Sequence, residues 1–219
     1  MKPRARNFDR LAKGYAVLEF LAFGRDLERA RFALLDQLRD RREILVLGEG
    51  DGRALVRLLE LAPLAQIHCL DFSEAMLRRA AARILPADRA RVTFLQADVL
   101  IAEFPPKQFD AVTTVFFLDC FTADEVARIA TRVGAALHRD ALWLFVDFSL
   151  PERGYNRFRA RAWLGLLFAF FRWSTGIAAR ALPPSEKILQ ASGWREISRQ
   201  EFQHGLLRAV LFGRPETRP

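Results

Sequence analysis

Three glycines at alternate positions, Gly48, Gly50 and Gly52, enclose two carboxylates, Glu49 and Asp51. The loop follows an apolar run at residues 44–47 and precedes an amphipathic stretch at 53–61. Glycine here permits a tight turn and lets backbone come close to a ligand. A pyrophosphate is drawn to backbone N–H groups and a helix dipole, so two inward-pointing carboxylates would repel it. A cationic ligand meets no such repulsion. The spacing also departs from the dinucleotide fingerprint G-x-G-x-x-G/A, because the third glycine comes one residue early. For each acid the alternative is a solvent-facing place at the helix N-terminus.

Two further acids stand where a nucleoside needs them. Asp71 closes a second apolar run 19 residues beyond Gly52, and a carboxylate there matches two ribose hydroxyls. A helix cap is its other possible role, although Ser73 fills that place for a helix starting at Glu74. Asp98, in "VTFLQADVL", is positioned either to accept from an adenine amino group or to close a turn. A nucleoside without phosphate and with positive charge is S-adenosylmethionine, whose sulfonium and amino group are both cationic. Gly48, Glu49, Gly50, Asp51, Gly52, Asp71 and Asp98 form the expected cofactor set. Their neighbours Phe72, Met76, Ala97, Val99, Val115 and Phe116 complete it, and S-adenosylhomocysteine is the expected product.

Methyl transfer from a sulfonium is an in-line displacement, so the protein orients the two partners and excludes water. An oxygen, nitrogen or acidic carbon acceptor still needs a base. Asp119, just after the fourth apolar run, is the first candidate, with His204 and Tyr15 as further catalytic candidates and Asp147 beside them. Each has a plainer alternative: Asp119 as a turn acid, His204 as a polar residue near a glycine bend, Tyr15 as helix packing, Asp147 as a strand-end cap. Phe116 and Phe117 line the site or belong to the sheet core. No metal ligand set is evident.

These residues must be carried by a regular framework. Residues 44–47, 66–70, 92–95, 111–116 and 141–146 read as strands, and 53–61, 74–84 and 123–138 as helices between them. The last helix has capping-box spacing at Thr122 and Glu125, with Val126, Ile129, Ala130, Val133 and Leu137 on one face. Alternation of this kind predicts an α/β fold with a parallel, doubly wound sheet. Residues 8–38 read as helical material in front of that core. Residues 194–203 and 206–212 read as a terminal antiparallel strand pair, making seven strands in a Rossmann-like sheet.

The chain has 219 residues, 51% of them hydrophobic, and a formal charge of +8, enough for one good core with no second domain required. One domain is expected: 1–41 as an N-terminal helical cap, 42–150 as the cofactor-binding core, 151–191 as a lid and 192–219 as the strand pair. Two cysteines, Cys69 and Cys120, fit reduced thiols in an intracellular compartment better than a disulfide or metal framework. The basic N-terminus lacks the apolar core of a signal peptide. The longest apolar run, 162–171, is too short to span a bilayer. A cytoplasmic protein, membrane-peripheral at most, is expected.

As a set, "VLGEGDG", "LDFSEAML", "LQADV", "FDAVTTVFFL" and "LWLFVDFSLP" resemble, in order and spacing, the class I S-adenosylmethionine-dependent methyltransferases. More loosely, "FDRLAKGYAVLEFLAFGRDLERAR" and the ending "LQASGWREISRQEFQHGLLRAVLFGRP" resemble the ubiquinone/menaquinone biosynthesis C-methyltransferases. The resemblance implies a methyltransferase distantly related to that family. Two departures stand out: the acid usual two residues before the first glycine is Val46 here, and the asparagine expected after strand four is Asp119.

Between strand five and the terminal pair, residues 151–191 interleave aromatic residues such as Phe158, Trp163, Phe168 and Trp173 with Arg153, Arg157, Arg159 and Arg172. Such a lid suits a hydrophobic small-molecule acceptor, aromatic or polyene-like, and a basic amphipathic segment of this kind can rest on a membrane surface. O-methylation and C-methylation are both open. The basic charge leaves an RNA methyltransferase as one alternative, but there is no added nucleic-acid module and no Asn/Asp-Pro-Pro-Tyr/Phe tetrad, so no nucleic-acid partner is expected. A non-catalytic S-adenosylmethionine-binding scaffold is the other.

Overall fold

The computed structural model describes residues 25–150 and 182–214 of the chain. The expectations for Tyr15, the first part of the N-terminal cap and the lid at 151–181 lie outside these residues. In chain order the elements are α1 (Asp26–Phe32), β1 (Glu43–Leu47), α2 (Arg53–Leu61), β2 (Gln66–Asp71), α3 (Glu74–Arg83) and β3 (Val92–Gln96). Then follow β4 (Phe109–Val115), α4 (Ala123–Ala136), β5 (Leu137–Phe148), α5 (Ser185–Ala191), β6 (Arg195–Phe202) and β7 (Leu207–Gly213).

The seven strands form one sheet in the order β3-β2-β1-β4-β5-β7-β6. The first five strands run parallel, and β7 lies antiparallel to both β5 and β6. Physical connection lengths explain the mixture. Long crossovers, helical after β1, β2 and β4, return the chain to the same end of the sheet, whereas the short turn at Gln203–Gly205 can only reverse it. The strand order turns around between β1 and β4, which opens a crevice at their carboxyl ends.

Both faces of the sheet are covered, which is why the central strands are almost wholly apolar. Ile44, Val46, Leu55, Leu58 and Ala80 pack into one core beneath α1, α2 and α3. Leu45, Leu47, Val112, Val126, Trp143 and Trp194 pack into the other beneath α4 and α5. Trp143 is fully buried, and its indole N–H donates to Thr114 Oγ1 at 3.0 Å, so no polar atom is stranded there.

Local signals set the element boundaries near the crevice. The Ser73 hydroxyl accepts from the Met76 N–H and starts α3. Thr122 and Glu125 form the capping box that starts α4, with the Glu125 carboxylate accepting from the Thr122 N–H at 2.8 Å. The boundaries around β4 and β5 differ from the sequence expectation: the helix expected over 123–138 ends at Ala136, and Leu137, expected on its apolar face, opens β5 and pairs with Phe109. β4 ends at Val115, because Phe116 turns into the left-handed region at φ 50°. β5 runs on to Phe148, so Asp147 sits within the strand rather than capping it.

Candidate functional site

The three glycines at the end of β1 all adopt positive φ, with Gly48 at +67°, Gly50 at +67° and Gly52 at +89°. Their surroundings differ. A Cβ on Gly52 would meet the Ala80 backbone at 2.6 Å, so this glycine lets α2 and α3 approach. A Cβ on Gly48 would run into the Phe117 ring, so an aromatic side chain covers the first glycine. Only Gly50 of the three has nothing within 4 Å, leaving its backbone open to a ligand.

The two interleaved acids part company. Asp51 turns to Arg53 (2.9 Å) and Arg83 (3.1 Å), while Arg83 Nε also donates to its carbonyl, and these contacts tie the loop to α3. Two cations thus hold the Asp51 carboxylate, within the loop expected to meet the cofactor. Glu49 instead turns inward, against the solvent-facing alternative. It is 5% exposed, and its Oε1 accepts from the Leu55 N–H at 2.9 Å, capping α2 from within the loop. Burial pushes the Glu49 carboxyl up to about 7, against the opposing pull of that N–H and of the Arg31 charge. Val46 is buried in the apolar core and offers no polar group.

Asp71, at the end of β2, is raised by burial while N–H groups of Ser73 and Gly50 oppose the shift. Its Oδ1 accepts from Ser73 at 2.8 Å, and the Asp71 carbonyl accepts from the Ala97 N–H at 3.1 Å, which joins the second and third strand ends. Phe72 next to it is 66% exposed, an apolar ring facing outward at the crevice rim. Asp98 uses Oδ1 to accept from Leu100 at 2.9 Å, so its turn role is realised, and Val99 and Val115 are buried in the two separate cores.

Beyond β4, the short turn Leu118–Cys120 places Asp119 against Asp147 of β5. The Asp119 N–H donates to Asp147 Oδ2 at 3.0 Å, and the Phe148 N–H donates to Asp147 Oδ1 at 2.8 Å. Burial raises Asp119 to about 6 and lifts Asp147 well above the carboxylate range, with Asp119's own charge the second cause for Asp147. The Cys120 thiol donates to Asp119 Oδ1 at 3.4 Å, and it is raised by burial and by the charges of Asp119, Asp147 and Asp71. In the sequence, Asp119 and Asp147 stand as separate candidates. Their coupling needs the β4–β5 pairing, which no local pattern displays.

Around this turn lie aromatic rings. Phe117 packs edge-on against Phe121 at 5.0 Å between ring centres, and Phe116 packs against Phe148 at 5.3 Å. Arg31 of α1 stands over the Phe116 ring at 5.4 Å. That contact was missed in the sequence, where Arg31 is one arginine among many in a charged helix.

His204 is not brought to these carboxylates. It occupies a left-handed turn with Gln203 and Gly205, and lines a cavity of about 520 Å³ with Glu186, Lys187, Arg199, Glu201 and Arg208. Nothing in that lining comes from the glycine loop.

Glu49, Asp71, Asp119 and Asp147 thus sit at the carboxyl ends of β1, β2, β4 and β5, and among the described residues none of the four forms a salt bridge. Among the same residues no group of three or more His, Cys, Asp or Glu side chains could hold a metal ion. Such a floor repels phosphate and attracts spread-out organic positive charge and hydroxyl donors. The donor set fits S-adenosylmethionine, which brings an ammonium, a sulfonium and two ribose hydroxyls.

Comparison with known proteins agrees. A family profile described as a methyltransferase domain matches residues 44–140. The chain is 39% identical over 115 residues to the demethylmenaquinone methyltransferase of Thermus thermophilus, a match spanning half of each chain. It is 30% identical over 215 residues to the demethylmenaquinone methyltransferase of a Roseiflexus species, covering 88% of this chain and 85% of that one. A ubiquinone/menaquinone biosynthesis C-methyltransferase of Syntrophotalea carbinolica is 27% identical over 217 residues, covering 91% and 89%. Among solved structures, an S-adenosylmethionine-dependent methyltransferase from Mesorhizobium loti has the same fold, with a TM-score of 0.62 at 20% identity, covering 84% of this chain and 98% of that one. Mitomycin 7-O-methyltransferase shares it too, with a TM-score of 0.67 at 19% identity, covering 93% and 58%. The chain belongs to the class I S-adenosylmethionine-dependent methyltransferases, as a distant relative of the ubiquinone/menaquinone biosynthesis C-methyltransferases, with S-adenosylmethionine as cofactor and S-adenosylhomocysteine as product.

Proposed function

We propose that the floor of Glu49, Asp71, Asp119 and Asp147 is the cofactor and transfer site, and that the acceptor is a hydrophobic aromatic molecule, a phenol or quinol. The observation that carries this reading is three buried carboxylates, Glu49, Asp119 and Asp147, and the half-buried Asp71, none with a cationic partner among the described residues. Unpaired buried acids are costly, and that cost is offset when a cationic ligand arrives. When bound, the cofactor supplies a methyl group on a sulfonium.

Asp71 accepts from the ribose hydroxyls, Phe72 offers its exposed ring to a flat base, and the open backbone at Gly50 admits close approach. Asp119 is the base. Its carboxyl, raised to about 6, is largely ionised at neutral pH yet basic enough to draw a proton from a phenol. Asp147 is a positioning residue: its Oδ2 accepts from the Asp119 N–H, and burial together with the Asp119 charge keeps it protonated beside the base. Removing a phenolic proton makes the oxygen and the adjacent ring carbon both nucleophilic, so one base serves O- or C-methylation. The names of the sequence relatives favour a quinol ring, and Phe116, Phe117, Phe121 and Phe148 favour a flat acceptor. The aromatic and basic stretch at 151–181 supports a lid for such a molecule and contact with the membrane that dissolves it.

Parallel calorimetric titrations with S-adenosylmethionine, S-adenosylhomocysteine and NAD test the site, with micromolar binding of the first two and none of NAD expected. Binding of NAD alone would overturn it. Incubation with methyl-labelled cofactor and a panel of phenols and demethylated quinols then tests the acceptor. NMR of the product separates a methoxy from a ring-methyl signal, and turnover confined to RNA would refute the small-molecule reading.

A further inference from the structure

The cavity beside His204 has no part in the chemistry above, yet it adjoins the transfer site. Asp147 of β5 is paired with Arg208 of β7, and Arg208 with Glu201 of β6. Cross-strand partners share a sheet face, so the three side chains form one row on the face that α4 and α5 cover. Neighbouring strands lie about 4.8 Å apart, which sets Arg208 and Glu201 about 5 and 10 Å from Asp147 across the strands. The turn that carries His204 is fixed to the same strand end. The Ser149 hydroxyl donates to the Gly205 carbonyl at 2.9 Å, and the Ser149 N–H donates to the Leu206 carbonyl at 2.8 Å. Gln203 and His204 are held in the left-handed region at φ 49° and 56°, which residues other than glycine keep only where their surroundings impose it.

The charges that line the cavity divide into engaged and free. The Glu186 and Glu201 carboxylates are held by Arg199 and Arg208, and Glu196, outside the lining, binds Arg199 as well. Lys187 and His204 have no hydrogen-bonding or ionic partner among the described residues, and Arg208 Nε, although 3.1 Å from Glu201, is buried without a hydrogen bond. What remains unsatisfied around about 520 Å³ of space is therefore a set of donors: an ammonium, an imidazole N–H and the edge of a guanidinium. We propose that the cavity holds a carboxylate borne by the acceptor itself, so that the acceptor is a phenolic acid whose acid group lies at Lys187 and His204 while its hydroxyl reaches Asp119. The inference rests on the reading of Asp119 and Asp147 as the transfer site, and it narrows the class of acceptor. One aromatic ring with its acid group opposite its hydroxyl spans the interval across β5, β7 and β6. A carboxylate suits the lining better than a phosphate, because Glu186 and Glu201 face the same space and oppose a second negative charge.

The test compares matched phenols that carry, opposite the hydroxyl, either a carboxylate or its methyl ester, in steady-state transfer from methyl-labelled S-adenosylmethionine. The acid is expected to exceed the ester in kcat/KM by about 10-fold or more, chiefly through KM, and added salt should shrink that preference. Lys187→Met and His204→Gln should each lower kcat/KM for the acid about 3- to 10-fold more than for the ester, whereas Lys187→Arg should retain the preference because it keeps the charge. Equal turnover of acid and ester by the unaltered protein, or an equal loss on both in the variants, overturns the inference while the phenol reading stands. Stimulation of ester turnover by free benzoate would assign the cavity to a separate anion and overturn the acceptor-borne carboxylate. Turnover of no phenol of either kind, with S-adenosylmethionine binding intact by calorimetry, overturns the phenol reading and the inference with it, which is a distinguishable outcome.

Discussion

Two groups of acidic side chains on the same sheet are treated in opposite ways. Glu186, Glu196 and Glu201, between α5, β6 and β7, are tied to two arginines: Arg199 reaches Glu186 at 2.7 Å, Glu196 at 2.6 Å and Glu201 at 3.4 Å, and Arg208 reaches Glu186 at 3.3 Å and Glu201 at 3.1 Å. The hydrogen bond from Arg199 holds the Glu196 carboxyl below its usual range, and the same contacts raise Arg199. Glu49, Asp71, Asp119 and Asp147 have no such partners among the described residues, and all four are raised by burial. The paired group is a strap that joins a helix to an antiparallel edge. The unpaired group is poised for an incoming cation, and a fold carries such a cost only where a ligand offsets it.

Four experiments break or sharpen this contrast. Asp119→Asn removes the base while keeping size, and turnover is expected to fall about 10²- to 10⁴-fold, with cofactor affinity within about twofold. Steady-state rates alongside calorimetry check this, and full activity would rule out Asp119. Next in size, Asp71→Ala should weaken S-adenosylmethionine by on the order of 2 to 4 kcal/mol, through lost charge-assisted hydrogen bonds. The matched change in the paired group, Glu201→Ala, should leave that affinity alone. Equal effects would erase the distinction between the two acidic regions.

The third experiment reads pH. The folded-state value for Glu49, about 7, lies above its ordinary 4.5, so the folded chain holds this proton more tightly than the unfolded chain. Its contribution is therefore fully present below about pH 4.5 and is lost as pH rises towards 7, on the order of 3 kcal/mol at 1.4 kcal/mol per pKa unit. Thermal melts from pH 5.5 to 7.5 should show a falling Tm for the free protein, a flatter curve for Glu49→Gln, and a larger shift on adding S-adenosylmethionine at the upper end. A Tm in Glu49→Gln that tracks the unaltered chain would remove Glu49 as the cause. The smallest effect is expected for Arg199→Met, about 1 kcal/mol of stability, since its ion pairs are partly solvated. Chemical denaturation measures it, and cofactor affinity should not move.

Most of the framework was legible because it depends on local patterns. Period-two and apolar runs marked all seven strands, the period-3.6 stripe Val126, Ile129, Ala130 and Val133 marked α4, and Thr122 with Glu125 marked where it begins. The candidate site was only half legible. The glycines, Asp71 and Asp98 stand at spacings that a strand–loop–helix unit dictates, whereas His204 shares the polarity of the site residues and ends elsewhere, and the Asp51 carboxylate in the glycine loop is taken by two arginines. Polarity along a chain does not say which acid will find an arginine: Arg83 lies 32 residues from Asp51.

By itself, then, the order of residues determined the α/β alternation, the position of the glycine loop after β1 and the surplus of acids at strand ends, because backbone propensity and hydrophobic periodicity act over a few residues. Tertiary structure alone decided that Glu49 turns inward, that Asp119 and Asp147 come to share one buried environment, and that Arg31 reaches across to Phe116. Those outcomes are set by strand pairing and helix packing across the sheet. Burial and charge proximity, which set the chemistry of these groups, exist only once distant segments are in contact.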